Sequence, residues 1–255
     1  MKFFRNWLDF IDKKETLHYS QKLMPEVYAK GKASEKRRRK NKKGAAMKEY
    51  DDKMVQITDS FGHVLTGEAE VLSFDYCLHK NCQNEDGIMI CNHLVYSSQI
   101  KEIKHLPDIN IIRATETWQK AGAYYVRIQA MAKKHHISLK AEFDNHDTTE
   151  TKYIVVTDND FPIATARMYP IDKRSMMIGR VVVLPEYRHR GIGRMVIYAC
   201  EKWAEEMCFA MTIVESRDNK IGFYETLGYE ATGETIEGET FRCIRMKKEI
   251  MRRQN

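Results

Sequence analysis

The stretch from Val181 through Arg194, VVVLPEYRHRGIGR, constrains this 255-residue chain more than any other. A β-branched run ends at Pro185, where regular strand pairing stops. A turn made of Arg188, His189, Arg190, Gly191, Ile192 and Gly193 follows. It opens directly into a helical segment from Gly193 to about Met207, with Val196, Cys200, Trp203 and Met207 on one face. The first amides of such a helix are unsatisfied and sit at the positive end of its dipole, and glycines let a ligand approach the backbone closely. A strand, a glycine turn and a helix start in this order hold a pyrophosphate. Arg188, Arg190 and Arg194 add complementary charge. The plainer alternative is a basic turn ahead of an amphipathic helix. Rival phosphate patterns fail: G-x-G-x-x-G needs glycine where Val196 stands, and no Gly-Lys-Ser/Thr follows.

The rest of 107–255 alternates strands and helices. INIIRA reads as a strand, and TETWQKAGAYYVRIQAMAKKHH as a helix with Trp118, Ala121, Tyr125, Ile128 and Ala132 at helical spacing. The strands KYIVVTD and FPIATARMYP flank a hairpin turn at Asn159-Asp160, and MMIGRVVVLP follows. FAMTIVES is a strand, NKIGFYETLG a short helix ended by Gly228, and TFRCIRMKK a last strand. The expected class is mixed α/β (α+β) with a mostly antiparallel central sheet.

Arg188-x-x-Gly191-x-Gly193 after a hydrophobic strand resembles the acetyl-CoA signature R/Q-x-x-G-x-G/A of the GNAT acetyltransferases. Downstream, Asn219-Lys-Ile-Gly-Phe-Tyr224-Glu-Thr-Leu-Gly228-Tyr229 is similar to their N-x-x-A-x-x-F-Y-x-x-L-G-F helix. It departs at Gly222, in the spacing before Phe223, and at Tyr229, where Phe is common. Three shorter stretches look like the ElaA-like branch: Glu142-Phe143-Asp144-x-x-Asp147, Ala164-Thr165-Ala166-Arg167 and a terminal GETF…RMKK.

The resemblance implies a GNAT fold over 107–255, acetyl-CoA as cofactor and an amine as acceptor. It implies that the strand Val181-Val182-Val183 parts from its neighbour, freeing backbone groups for pantetheine and an amide for the oxyanion. The same valines also serve as core. It places the cofactor on Arg188, His189, Arg190, Gly191, Ile192, Gly193, Arg194 and Asn219. Tyr224 becomes the acid that protonates the departing thiolate, its ordinary pKa of about 10 keeping it protonated; the other reading is a packed aromatic. Glu142, Asp144 and Asp147 precede strands that wall the acceptor pocket and are expected to attract a cationic amine, or else are solvated loop acids. His135, His136 and His146 are further candidates for the base, or surface and capping residues.

Ahead of this lie two other zones. Residues 1–48 hold 15 Lys/Arg and 5 Asp/Glu, a net of +10, whereas the remainder nets −4. The block KGKASEKRRRKNKKG repels itself and stays extended or loosely helical, either as a solvated tail or as a contact with RNA, ribosome or anionic lipid. Residues 49–106 alternate in four or five short strands, with breaks at Gly62, Gly67 and Asn81–Gly87. They resemble a small Sm-like or SH3-like barrel, joined onward by a linker at His105–Asp108. Cys77, His79, Cys82, Cys91 and His93 cluster, but paired C-x-x-C spacing is missing. They read as small core residues before zinc ligands, and no metal is expected.

No apolar run approaches the ~18 residues of a membrane span. Asp9 and Asp12 break what would be a signal-peptide core, so a cytoplasmic location with reduced cysteines is expected. Two functions compete. One is an acetyl-CoA-dependent N-acetyltransferase acting directly on a small-molecule or protein amine in a ternary complex. The other is an RNA- or ribosome-associated protein whose GNAT domain senses acyl-CoA without turnover.

Overall fold

The computed structural model describes residues 47–72, 85–237 and 241–250. Residues 1–46 of the basic tail, with the expected RNA contact, lie outside them, as do Cys77, His79 and Cys82. The described strands form two sheets, one of five strands and one of seven. No helix among the described residues is long and apolar enough to cross a membrane.

The small sheet has the order β4-β3-β2-β1-β5, antiparallel throughout. Its strands are β1 (Met54–Asp59), β2 (Val64–Leu72), β3 (Gly87–Ile90), β4 (His93–Tyr96) and β5 (Ile100–His105). Alternation along β1 turns Val55 and Ile57 into a core shared with Leu65, Ala69, Ile88, Ile90 and Val95. β2 changes partner at its middle, pairing with β1 through Val64–Glu68 and with β3 through Ala69–Leu72. Gly67 sits at that change, and a side chain there would lie 2.7 Å from Cys91 Sγ. The run GIMICNHLVY looks like one strand in sequence. It is a hairpin whose two turn residues, Cys91 and Asn92, both have positive φ (47° and 59°), the backbone of a tight two-residue turn.

The linker expected at His105–Asp108 is short. Leu106 N–H still donates to Met54 O (2.8 Å), and Ile109 N–H donates to Leu106 O, so β6 (Ile109–Arg113) starts almost where β5 ends. The large sheet runs β11-β12-β10-β9-β8-β7-β6. Its other strands are β7 (Lys152–Asp158), β8 (Phe161–Pro170), β9 (Ser175–Val183), β10 (Met211–Arg217), β11 (Glu230–Glu237) and β12 (Arg242–Glu249). Only β9 and β10 pair in parallel. The fold is mixed α+β and rich in antiparallel pairs, as expected. β11, mostly exposed, gave no periodic signal in sequence.

Helices cover both faces. Tyr153 and Val155 of β7 pack with Ala123 of α1 (Thr117–Arg127). Ile154 and Val156, on the opposite face by strand alternation, pack with Met195, Val196 and Cys200 of α2 (Ile192–Glu206). Burial on both faces explains why β7 reads as a continuous apolar run.

The buried face of α1 differs from the expected one. Trp118 is 59% exposed and Tyr125 37%, whereas Ala123, Val126 and Arg127 are buried. Beyond Arg127 the helix widens into a π turn, Ile128–Lys133. A fully buried arginine is invisible to hydrophobic periodicity. Arg127 donates from Nε to Glu142 Oε1 (2.8 Å), to the Glu142 carbonyl, and to both oxygens of Asp147. Asp147 also accepts from Tyr153 Oη (2.6 Å) and from Arg167 (2.6 Å). Burial opposes its ionisation, but Arg127 and Tyr153 hold the Asp147 carboxyl below its ordinary value.

Removing one partner of such a buried pair leaves uncompensated charge and costs about 3–5 kcal/mol. Arg127→Met is therefore expected to lower unfolding stability by about that amount at neutral pH. In the wild-type protein the depressed Asp147 pKa contributes stability present above 3.8 and lost as pH falls below it. In the variant the orphaned carboxylates are relieved by protonation, so its deficit shrinks on acidification. Denaturant unfolding of both proteins at several pH values checks the size and the sign.

Candidate functional site

β9 and β10 share only three residue pairs, Ser175–Met211, Met176–Thr212 and Met177–Ile213. Beyond Met177 β9 bulges: its register against β8 shifts between Thr165 and Arg167, and Arg180 takes φ 51°. Extra residues in one strand bend it and sharpen its twist. The bulge carries Val181–Val183 away from β10, so the large sheet opens as a V. Val182 faces Val126 and Ala130, while Val181 and Val183 stay partly exposed against the other core.

The apex leads into the glycine turn. Pro185–Tyr187 forms a single 3₁₀ turn, and Arg188 Nε donates to Val183 O (3.0 Å). Tyr187 Oη reaches Asp158 (3.0 Å), and the Arg190 guanidinium lies over the Tyr187 ring. His189 (φ 60°) and Gly191 (φ 78°) both take the left-handed conformation. Gly191 caps α2 without a side-chain hydrogen bond, which leaves the first amides of a 15-residue helix to a ligand. Gly193 lies beside Val183 and Phe223. Arg194 points to Thr226, at Oγ1 (3.3 Å) and the carbonyl. Asn219 is exposed in the turn Asp218–Lys220 beyond the end of β10.

Tyr224 lies on α3 (Ile221–Glu225), 9% exposed, edge-on to Phe223 and Tyr229. Burial pushes its phenol well above the ordinary value, and the nearby Cys200 acts in the same direction. It is protonated at every physiological pH.

A cleft of about 910 Å³ opens between the arms of the V, with Asp144, Arg167, Arg180, Glu215, Phe241 and Arg245 among its walls. The acids expected to meet an amine part company here. Glu142, 0% exposed, and Asp147 do not line the cleft, because both are buried against Arg127. Asp144 does line it, but Arg167 (2.7 Å) and Arg180 (2.9 Å) already hold its carboxylate. Their hydrogen bonds and charge overcome partial burial and keep Asp144 far below its ordinary pKa. Of the histidines, His146 lines the cleft stacked on Tyr169 (4.2 Å), and His135 packs edge-on to Phe241 (5.4 Å). His136 is exposed just after the π turn. Partial burial and the cations Arg217, Lys134 and Arg188 lower the His135 pKa.

Several site residues went unread in sequence. Arg217, at the end of β10, lies over the Phe241 ring (4.4 Å) and joins Arg188 around His135. Glu215 lines the cleft paired with Arg245 (3.0 Å). They converge only because β10 and β12 pair, which no local motif encodes. Among the described residues no three His, Cys, Asp or Glu side chains gather to hold a metal. Cys91 is a half-buried thiol whose desolvation pushes it up to about 12, packed on β2.

Gly191 requires a correction. Its bareness was expected to admit phosphate oxygens, yet a side chain there would lie 2.6 Å from Thr66 N and 3.0 Å from Val64 O. The small sheet occupies that side, and the loop offers a ligand its amides from the other. Gly191→Ala is expected to destabilise by about 1–2 kcal/mol from conformation alone, and further because backbone must move. Gly193→Ala meets only ordinary contacts at 3.5–4.0 Å and is expected to leave the melting temperature unchanged or higher. Thermal unfolding of the two variants side by side checks this contrast.

The family model "Acetyltransferase (GNAT) family" matches residues 113–229. An acetyltransferase of Streptococcus pyogenes serotype M1, described as uncharacterized, is 32% identical over 111 residues, covering 44% of this chain and 78% of that protein. YyaT of Bacillus subtilis is 25% identical over 146 residues, 56% of this chain and 98% of that protein. A solved structure from Lactobacillus plantarum, described as an N-acetyltransferase, superposes with TM-score 0.54 at 30% identity, covering 56% of this chain and 99% of that one. ElaA of Escherichia coli, at 19% identity and TM-score 0.47 over 55% of this chain and 98% of that one, is too distant to assign a branch. With the parted strands, the glycine turn and these relatives together, the chain belongs to the GNAT acetyltransferase family.

Proposed function

We propose that this protein is an acetyl-CoA-dependent N-acetyltransferase that transfers the acetyl group directly to an amine held in the cleft. The parting of β9 and β10 up to an uncapped helix N-terminus carries this reading. The residues fit the cofactor. Val181–Val183 present strand backbone beyond the last β9–β10 pair, and the amides of Gly191, Ile192 and Gly193 would hold the diphosphate, with Arg188 and Arg190 of the same turn adding charge. His189 supplies backbone to the same turn, Asn219 stands at the far arm, and Arg194 steadies the helix start through Thr226. Bound there, acetyl-CoA supplies the activated acetyl thioester.

The chain's own groups do the rest. With the cofactor bound, the strand backbone at Val181–Val183 would offer an amide to the negative charge developing on the carbonyl oxygen. Tyr224 Oη, kept protonated by burial, would give its proton to the departing thiolate and regain one, through water, from the amine nitrogen as the amide bond forms. The acceptor enters between Asp144, Arg167 and Arg180 on one wall and Glu215 and Arg245 on the other. A place near the ElaA-like branch rests on the short stretches similar to it, two of which, carrying Asp144 and Arg167, meet in one ion pair. Contact of the basic tail with RNA is part of the proposal, tested by salt-dependent RNA binding with and without residues 1–48.

Release of free thiol from acetyl-CoA across a panel of amines tests the activity. Tyr224→Phe keeps the ring and its packing while removing the proton donor. Cofactor affinity is expected to hold and turnover to fall by roughly 10²–10⁴, nearer the lower end because the thiolate leaves readily. Parental turnover at unchanged affinity would assign the proton to another group.

A further inference from the structure

We propose that the small sheet sets the strength of cofactor binding, with Thr66 and Gln56 acting as positioning residues for the Gly191 amide. The proposal rests on the reading that the glycine turn holds the diphosphate of acetyl-CoA. Thr66 Oγ1 donates to the Arg190 carbonyl, and Gln56 Nε2 donates to the same oxygen (3.2 Å). The two donors are direct cross-strand partners in the β1–β2 ladder, and Gln56 Nε2 also reaches Thr66 Oγ1 (3.3 Å). Thr66 is wholly buried, and Cys91 Sγ donates to its carbonyl (3.3 Å).

The consequence follows from the geometry of a trans peptide, whose C=O and following N–H point in opposite directions. With the Arg190 carbonyl held on β2, the Gly191 N–H is directed away from the small sheet, toward the ligand side of the turn. Two donors on one carbonyl also polarise that peptide and strengthen its N–H as a donor. The backbone of Val64–Thr66 lies under Gly191, which takes φ 78°, so the turn is backed by the small sheet on that side. Amide donors are thus fixed before a ligand arrives, which lowers the ordering cost of binding. The family model begins at residue 113, and 56% of this chain covers 99% of the L. plantarum chain. The Thr66–Gln56 pair therefore lies outside the stretch that the family model matches.

The test compares the full-length wild-type protein, Thr66→Val, Gln56→Leu, the double variant and Thr66→Ser, each verified as folded by thermal unfolding. Calorimetry with coenzyme A is expected to show roughly 10–100-fold weaker binding in the double variant, a loss typical of mis-set hydrogen bonds to a charged group. The KM for acetyl-CoA rises while kcat at saturation holds. Acetyl-pantetheine lacks the diphosphate, so kcat/KM with it is expected not to change, and Thr66→Ser is expected to bind coenzyme A as the wild type does. If Thr66→Val does not fold, the partly exposed Gln56→Leu carries the same comparison. Unchanged coenzyme A affinity in the folded double variant overturns the proposal, as does an equal loss with acetyl-pantetheine or no rescue by serine. Wild-type protein that binds no coenzyme A overturns the acetyl-CoA reading and this one with it.

Discussion

Three residue pairs between β9 and β10 hold the large sheet together where it would otherwise separate, and the candidate site lies where that pairing stops. A parallel ladder has no local reason to end after Met177. Past that point β9 bulges against β8, and within the bulge Arg180 adopts a left-handed backbone, a conformation that costs a residue with a side chain about 1–2 kcal/mol. The same residue anchors itself: its guanidinium pairs with Asp144 (2.9 Å) and approaches Glu142 (3.7 Å). Backbone strain and side-chain ion pairs thus meet at one position where the V opens.

Those ion pairs belong to a larger set. Arg127 from α1, Arg167 from β8 and Arg180 from β9 converge on Glu142, Asp144 and Asp147, which lie on one short stretch of chain. A loop that is irregular in hydrogen bonding is thereby made rigid by charge, with the Arg127 guanidinium also stacked over Phe143. The carboxylates that line the cleft, Asp144 and Glu215, are thus already answered by arginines.

Much of this was legible in the residues. Two-sided burial wrote β7 as an apolar run, Asn159-Asp160 marked its hairpin, and Gly228 ended α3 with φ 86°. The glycine turn lay within one contiguous motif, so local spacing sufficed to find it, whereas the parting of the strand before it was implied only by the resemblance to the GNAT family. What was misread depends on contacts distant in sequence. The acids at 142 and 147 look solvated until Arg127 is found buried beside them, and Arg127 hides because periodicity counts charged residues as outward-facing. The Cys91-Asn92 turn hid inside an unbroken hydrophobic run. Contact between β2 and the glycine turn joins residues 124 apart, and neither segment carries a sign of the other.

The close approach of β2 to Gly191 also bears on how such a chain can change over generations. In a relative without the small sheet, position 191 is limited only by its left-handed backbone, which asparagine or aspartate tolerates. Here the same position is closed by the backbone of a second sheet, so no side chain is admitted while β2 stays where it is. The constraint runs one way: a side chain at 191 is viable only where residues 64–66 have moved, whereas a change in β2 leaves a glycine at 191 as acceptable as before.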